Sequence, residues 1–274
     1  MSKTHHPGRH ELGQNFLVDR RVIDRVRDLV DERPGPIVEW GTGDGALTTA
    51  LATLRRPMRG IEIDGRRARA LDRRTGPHVS ISEGDILRHA PPHGSVVVSN
   101  VPFHLTTPIL RHLLCSTDWS GAVLVTQWEV ARKRAAVGGA TQLTAQWWPW
   151  YDFALDRRIP AGAFRPRPSV DAGLLVVDRR SEPLVDDRSR RDYQSWVAEV
   201  FGGRGRALAD ILTRRGVPPT TARYLASRHA SPRRAPLPRD LRPQDWAEAY
   251  AAARPGRRLT TPRAAGPGPG QPGR

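Results

Sequence analysis

The chain has 274 residues, which is enough for one catalytic domain of ordinary size and a small second unit. Its 44 Lys and Arg residues outnumber its 28 Asp and Glu residues, and the formal net charge of +16 favours a polyanionic partner such as nucleic acid. The single cysteine, Cys115, excludes an internal disulfide framework and a cysteine-based zinc cluster.

Two terminal segments differ in composition from the rest of the chain. Residues 1–10 are polar, and residues 254–274 are rich in Pro, Gly and Arg. Neither segment can bury enough apolar surface to offset the entropy lost on ordering, so we predict a flexible first tail and a disordered basic second tail. No apolar stretch is long enough to span a bilayer, and no signal-peptide pattern opens the chain, so we expect a cytoplasmic protein without a membrane partner.

Short apolar runs alternate with helical patterns between these tails. The predicted strands cover residues 37–40, 58–63, 79–82, 95–99 and 122–126. The predicted helices cover residues 20–30, 46–54, 65–73, 107–115 and 129–136, and Cys115 is expected to be a buried small hydrophobe. This alternation predicts an α/β fold with a doubly wound, Rossmann-like, mainly parallel sheet.

The later part of the chain changes character. Residues 153–158 and 173–177 can add a hairpin to the sheet, and from residue 181 the pattern becomes helical and rich in arginine. We therefore predict a catalytic domain over residues 11–180 and a small helical domain over residues 181–253. Four tryptophans in the middle of the chain are expected to be packing residues: Trp128, Trp147, Trp148 and Trp150.

A glycine-rich turn follows the first predicted strand. Glu39 is the penultimate residue of that strand, and Gly41, Gly43 and Gly45 follow the strand at alternate positions. Glycines at this spacing let the backbone pass close to a ligand, although an ordinary tight turn explains the spacing equally well. Ligands of α/β sheets bind beyond the carboxyl ends of the strands, where this turn lies.

Acidic residues stand at the ends of the next two strands. Glu62 and Asp64 follow the second strand, and Asp85 follows the third. Each alone can be a solvated turn residue, but acids at successive strand ends suit the hydroxyls and the amine of an adenosine. Carboxylates also flank the glycines, and no lysine follows them as in a phosphate-binding loop. This favours S-adenosylmethionine, which carries a sulfonium and an amino group, over NAD or ATP.

The fourth strand ends in the sequence Asn100-Val101-Pro102-Phe103. The Asn100 side-chain oxygen and the Val101 carbonyl can accept hydrogen bonds from an adenine N6 amine, Pro102 fixes the turn, and Phe103 offers a flat face to the base. The alternative is a plain strand-to-helix turn with a core phenylalanine. The sequence shows no metal-ligand constellation and no nucleophile–base pair, and holding an amine beside a sulfonium needs neither.

A second aromatic residue stands in a stiff loop at residues 163–171. Phe164 can close on the other face of the base while Arg165 and Arg167 reach phosphates. The alternative is a surface loop pinned by a buried Phe164.

Several segments together resemble the ribosomal RNA adenine N6-methyltransferase family. They are Gly13–Leu17, Glu39–Thr48, Glu62–Asp64, Gly84–Ile86, Asn100–Phe103 and Phe164–Asp171. That family contains the Erm macrolide-resistance methyltransferases of 23S rRNA and the dimethyladenosine transferases of small-subunit rRNA. The resemblance implies that the target adenine is served by Asn100 and Phe103. The cofactor contacts it implies are Gln14, Asn15, Leu17, Gly41, Glu62, Asp85 and Asn100.

Within the family, residues 126–133 and 144–150 look like the Erm enzymes of antibiotic-producing actinomycetes. This resemblance implies N6 methylation of an adenine in 23S rRNA and macrolide-type resistance. It also makes the helical domain a candidate RNA-binding surface, although a solvated charged face explains its arginines about equally well. These arginines are Arg204, Arg206, Arg214 and Arg215.

Three other functions remain open from the sequence. The nearest is a small-subunit (16S) rRNA dimethyltransferase of ribosome biogenesis, which shares the catalytic motifs. A second is a non-catalytic nucleic-acid-binding relative of the same fold. A third, a small-molecule methyltransferase, is disfavoured by the positive charge. Nothing in the sequence requires an obligate protein partner or more than a monomer.

Overall fold

The computed structural model describes residues 15–116, 119–205, 207–232 and 234–254. Within them the strands are β1 (Phe16–Leu17), β2 (Ile37–Trp40), β3 (Met58–Glu62), β4 (Val79–Glu83), β5 (Val96–Asn100), β6 (Gly121–Gln127), β7 (Tyr151–Ile159), β8 (Phe164–Arg165) and β9 (Ala172–Arg179). The predicted tails lie outside the described residues apart from Arg254.

The helices in the same residues are α1 (Arg20–Asp31), α2 (Ala46–Ala52), α3 (Gly65–Asp72), α4 (Thr106–Cys115), α5 (Trp128–Arg134), α6 (Gln142–Trp147), α7 (Arg190–Phe201), α8 (Leu208–Arg214), α9 (Pro219–Ser227) and α10 (Pro243–Ala253). None of the helices in the described part is long and apolar enough to cross a membrane.

Seven strands form one sheet in the order β4-β3-β2-β5-β6-β9-β7. The first five strands are parallel to one another, whereas β9 is antiparallel to both β6 and β7. Every residue of β2 is buried, as are the first four of β5 and the first six of β6. Successive residues of a strand point to opposite faces, so both faces of this part of the sheet are covered. The doubly wound α/β prediction is confirmed, and the predicted hairpin is the pair β7 and β9.

The sheet belongs to a compact unit made of residues 15–147 and 151–179. Helix α1 shows how its core forms. Asp19 caps the helix by accepting a hydrogen bond from the Arg21 N–H, and Val22, Val26 and Leu29 are buried along one side of the helix. They join the apolar core that contains the inward side chains of β5, including Val96 and Val98.

A second compact unit contains residues 148–150 and 180–254. It holds α7 to α10, and strand-type pairing in its described part is confined to one isolated bridge between Ser231 and Arg234. Its core is aromatic, with Trp196 meeting Trp246 and Tyr250 edge to face at 5.9 and 5.6 Å between ring centroids. The helical character predicted from residue 181 is therefore confirmed. Trp147, Trp148 and Trp150 are buried as expected, and Trp128 is half-buried.

One prediction of burial is wrong. Cys115 is exposed, because the apolar side of α4 is formed by Ile109, Leu110, Leu113 and Leu114, and the last residue of the helix lies beyond that side.

Candidate functional site

A cavity of about 420 Å³ opens at the carboxyl ends of the parallel strands. Its walls come from the turn after β2, from the end of β3, from the end of β5 and from residues 15–18. Parallel strands bring their carboxyl ends to one edge of the sheet, so residues far apart in sequence meet there. Most of the predicted site residues line this cavity: Asn15, Leu17, Glu39, Gly41, Gly43, Glu62, Asn100, Val101, Pro102 and Phe103.

The glycine-rich turn has the backbone conformation that the sequence suggests. Gly41, Gly43 and Gly45 have φ angles of 77°, 55° and 89°, in the region that other residues rarely adopt. A Cβ at Gly41 would meet no protein atom within 4 Å, so the backbone there faces open space. Glu62 supports the turn, because its Oε2 accepts a hydrogen bond of 2.7 Å from the Gly43 N–H. The turn therefore forms a cradle, here called the glycine cradle, that lines the cavity.

Glu39 is a buried acid on the cavity wall. Its exposed fraction is 1%, and its Oε2 accepts a hydrogen bond of 2.6 Å from the Thr48 hydroxyl. Burial raises the pKa of Glu39 to about 8; the Thr48 hydrogen bond opposes this shift, and the charge of Glu62 adds to it. A carboxyl held neutral in this way is suited to a ligand that brings a positive charge, because such a ligand would favour its ionised form.

Glu62 is also buried, at the end of β3. Besides the Gly43 contact, its Oε1 accepts a hydrogen bond of 3.1 Å from the Asp64 N–H. A carboxylate has about four lone-pair positions, so these two bonds leave acceptor capacity for hydroxyl groups of a ligand.

Asn100 ends β5 with its side-chain amide oriented by the backbone. Its Nδ2 donates a hydrogen bond of 2.7 Å to the carbonyl oxygen of Asn15, 85 positions earlier in the chain. A carbonyl can only accept, so the amide nitrogen must face Asn15 and the amide oxygen remains an acceptor for another group. The next residue, Val101, is buried and its N–H donates to the Val125 carbonyl at 2.9 Å, which fixes the turn that begins here.

Phe103 begins a 3-10 turn, Phe103–Leu105, that leads into α4. Its ring is partly buried against the apolar core and also lines the cavity. Both interpretations of this residue therefore have a structural basis, since the same ring packs on the core and borders the cavity.

Two predicted site residues do not line the cavity. The Asp85 side chain accepts a hydrogen bond of 3.0 Å from the Leu87 N–H, lies 3.7 Å from Arg88, and is 43% exposed. It caps the 3-10 turn Ile86–Arg88 instead of forming part of the cavity wall. Its predicted contact with a cofactor amine stays a prediction.

Phe164 requires a correction. It is completely buried in the apolar core and pairs with Leu17 between β8 and β1. The alternative interpretation of this loop, a surface segment pinned by a buried aromatic, therefore describes the structure, and the ring offers no face to a base. Arg165 and Arg167, which the sequence suggested for phosphate contacts, are among the exposed residues of the loop. Gln14 lies outside the described residues.

Several cavity residues were missed by the sequence reasoning. Phe16 and Val18 belong to the first described segment, and Arg74 and Thr75 follow α3. Only the position of Phe16 beside two predicted contacts offered a signal for finding it. In the described residues no group of three or more His, Cys, Asp or Glu side chains is arranged to hold a metal ion.

Comparisons with known proteins show which proteins this chain is similar to. A model of the family described as ribosomal RNA adenine dimethylase matches residues 5–228. The mycinamicin-resistance protein MyrB of Micromonospora griseorubida is 50% identical over 245 residues, which are 89% of this chain and 78% of MyrB. An rRNA adenine N-6-methyltransferase of Corynebacterium diphtheriae is 46% identical over 211 residues, covering 76% of this chain and 83% of its own.

A solved structure extends the similarity to three dimensions. The crystal structure of the 23S rRNA methyltransferase ErmE matches with a TM-score of 0.77 at 30% identity, over 87% of this chain and 99% of that chain.

Proposed function

Because the chain belongs to the ribosomal RNA adenine dimethylase family, we propose that it methylates the exocyclic N6 amine of an adenine in 23S rRNA, using S-adenosylmethionine, and thereby confers macrolide-type resistance. Its membership confirms the family resemblance of the sequence motifs. The observation that carries the proposal is the Asn100 amide, which is anchored through its nitrogen and presents its oxygen as an acceptor beside the glycine cradle.

The residues of the cavity fit S-adenosylmethionine. Gly41 leaves space that any side chain would fill, and the Thr42 hydroxyl is buried without a hydrogen-bond partner among the described residues. Glu62 has acceptor capacity for ribose hydroxyls, and Glu39 is a buried acid suited to a cation. Asn15, Leu17 and Gly43 complete the wall that would hold the cofactor. The bound cofactor supplies an electrophilic methyl group on its sulfonium.

The chain's own contribution at the target is positioning. We assign the Asn100 oxygen and the Val101 carbonyl as acceptors for the two hydrogens of the adenine amine, which orients the nitrogen lone pair. Pro102 has a fixed φ and no N–H, so the turn that carries the Val101 carbonyl is stiff. An adenine inside a duplex must leave the base stack before its amine can reach an enzyme site. Phe103 would then stack on the face of the flipped adenine. Correct placement of two reactants can by itself supply much of the rate.

RNA affinity is assigned to arginines, including those of the helical domain at residues 181–253. In the second unit, Arg204, Arg214 and Arg215 line a groove of about 350 Å³ together with Gly202 and Gly203. Arg215 pairs with Glu199 at 3.5 Å, whereas the described residues place no carboxylate within ion-pair distance of Arg204 or Arg214. Unneutralised guanidinium groups around a concave surface favour RNA phosphates. Arg206 lies outside the described residues.

The small-subunit rRNA remains the second candidate substrate, since the description of the matching family names neither ribosomal subunit. Two relatives whose names specify drug resistance or 23S rRNA, MyrB and ErmE, favour the large subunit. A ribosomal substrate also favours a cytoplasmic enzyme, and we propose that it acts as a monomer without an obligate protein partner.

The test is transfer of a labelled methyl group to purified 23S and 16S rRNA, followed by nucleoside analysis. We expect label in 23S rRNA as N6-methyl- or N6,N6-dimethyladenine, and the product identifies the number of methyl groups. Label in 16S rRNA would assign the chain to the small-subunit branch. Label in neither, with RNA binding intact, would favour a non-catalytic nucleic-acid-binding protein.

A further inference from the structure

Residues 15–18, here called the strap, form one wall of the cavity. The strap is held at several points. Leu17 is buried and pairs with Phe164, and the Val18 N–H donates to the Ala163 carbonyl at 2.8 Å. Its first residue, Asn15, supplies the carbonyl that orients the Asn100 amide. Movement of the strap would therefore also move the Asn100 amide, whose oxygen we assign as an acceptor for the target amine.

Phe16 is the strap residue that touches the glycine cradle. A Cβ built at Gly43 would lie 3.0 Å from the Cε1 and 3.3 Å from the Cδ1 of the Phe16 ring, so the ring packs directly on this glycine. The contact holds the strap beside the backbone that we assign to the cofactor. It depends on a single half-buried side chain.

Arg67, in the first turn of α3, contacts the Phe16 ring. Its guanidinium carbon is 4.8 Å from the ring centroid, within the range of a cation–π interaction. Its Nε is also 3.5 Å from Asp44 Oδ1 in the glycine-rich turn and 3.9 Å from Asp64 Oδ2, the cap of α3. One side chain thus joins the strap, the glycine-rich turn and α3.

We infer that Arg67 is a positioning residue that holds Phe16 against Gly43 and thereby fixes the position of the strap. Because Asn15 of the strap orients the Asn100 amide, Arg67 also fixes the position of that amide. The inference rests on the proposed function, because it concerns the same cavity. It makes Arg67 act on the cofactor wall and on the target-amine acceptor together, although Arg67 itself is not in the cavity wall.

A purely electrostatic role is the competing explanation. Arg67 lies near Asp44 and Asp64, and its loss would leave both acids unneutralised. Such a change would act on the cationic sulfonium of S-adenosylmethionine and much less on the uncharged thioether of S-adenosylhomocysteine. Displacement of the strap would instead weaken the binding of both compounds by the same factor.

The experiment compares Arg67→Ala with two matched variants. Arg66→Ala removes the neighbouring arginine, which is exposed on the same helix, and Arg67→Lys keeps a cation that can lie over the ring. The first readout is hydrogen exchange of the ligand-free protein in peptides that contain Val18. We expect faster exchange in Arg67→Ala than in the unsubstituted protein. Arg66→Ala should exchange at the rate of the unsubstituted protein, and Arg67→Lys at nearly that rate.

The second readout is the affinity for S-adenosylmethionine and for S-adenosylhomocysteine, measured by calorimetry. We expect Arg67→Ala to bind both compounds about fivefold more weakly, as loss of an exposed cation–π contact implies. Phe16→Leu should lose a similar factor, and combining it with Arg67→Ala should add little, because the two residues act through one contact.

Unchanged exchange near Val18 in Arg67→Ala would overturn the inference. So would a change of affinity confined to S-adenosylmethionine, whose cation the unneutralised acids would attract more strongly. If the unsubstituted protein bound neither compound, the proposed cofactor would be wrong. The exchange measurement on the ligand-free protein would still decide whether Arg67 holds the strap.

Discussion

Glu39 gives the proposed cofactor site a distinctive pH dependence. Because burial raises the pKa of this carboxyl to about 8, about nine in ten molecules carry it protonated at pH 7. A cationic ligand favours the ionised form, so binding of S-adenosylmethionine should release a proton from Glu39. If only the ionised form binds, the affinity should rise roughly tenfold per pH unit up to about pH 8 and level off above it.

The variant that tests this dependence is Glu39→Gln. Its amide oxygen can still accept the hydrogen bond from the Thr48 hydroxyl, but the side chain cannot ionise. Calorimetry of S-adenosylmethionine binding between pH 6 and pH 9, in buffers of different ionisation enthalpy, measures both the affinity and the number of protons released. We expect a rising affinity for the unsubstituted protein and a flat, weaker one for the variant. A flat profile in the unsubstituted protein, or the same slope in both proteins, would show that ionisation of Glu39 does not control cofactor binding.

The same shift predicts how folding stability depends on pH. The ordinary pKa of the carboxyl is 4.5, and its pKa in the folded protein is about 8. Between these two pH values the folded state keeps a proton that the unfolded state has lost. The contribution of Glu39 to stability is therefore complete below about pH 4.5 and declines as the pH rises toward 8. Denaturant unfolding should show this decline in the difference between the unsubstituted protein and Glu39→Gln.

Three further outcomes are expected. Asn100→Ala should lower kcat for methyl transfer on the order of 100-fold while leaving the fold intact, because the amine loses an acceptor and its placement; near-normal turnover would contradict the assignment. Gly41→Ala should lower the free energy of unfolding by about 1–2 kcal/mol, because Gly41 has a positive φ, and should also abolish cofactor binding. Gly94 has a similar φ of 67° and equally open space where a Cβ would lie, so Gly94→Ala should lower stability by a similar amount without affecting cofactor binding. In salt titrations of RNA binding, Arg214→Ala should reduce the slope of log K against log salt by about 1. Arg223 is exposed and lies outside the groove, so Arg223→Ala should leave the slope unchanged. Equal slopes for all three proteins would show that the groove does not bind RNA phosphates.

The sequence predicts best what depends on strand order. Glu39, Glu62 and Asn100 each follow a short apolar run, and parallel strands bring such positions to one edge of the sheet. Their convergence could therefore be predicted without knowing a single contact. The place of the glycine-rich turn was predictable in the same way, because it follows the first apolar run and therefore lies at the same edge of the sheet. The positive φ angles of its glycines explain why glycine stands at these positions.

Contacts set by side-chain packing were beyond the sequence. Strands β1 and β8 have two residues each, too few for an alternating pattern, so nothing indicated that Leu17 would pair with Phe164. Burial of Phe164 was therefore only one of two interpretations of the loop. Asp85 stands at a strand end like Glu62, but its side chain caps the turn that follows it. The bond from Asn100 to Asn15 joins positions 85 apart, and local patterns carry no information about it.

The proposed reaction modifies one amine in one RNA. Its most direct test is mass spectrometric mapping of methylated adenine in the 23S and 16S rRNA of a macrolide-sensitive host that produces the unsubstituted protein or Asn100→Ala. We expect N6-methylated adenine at one position of 23S rRNA, together with macrolide resistance, only with the unsubstituted protein. Methylation of 16S rRNA instead, or equal methylation of 23S rRNA with Asn100→Ala, would contradict this expectation.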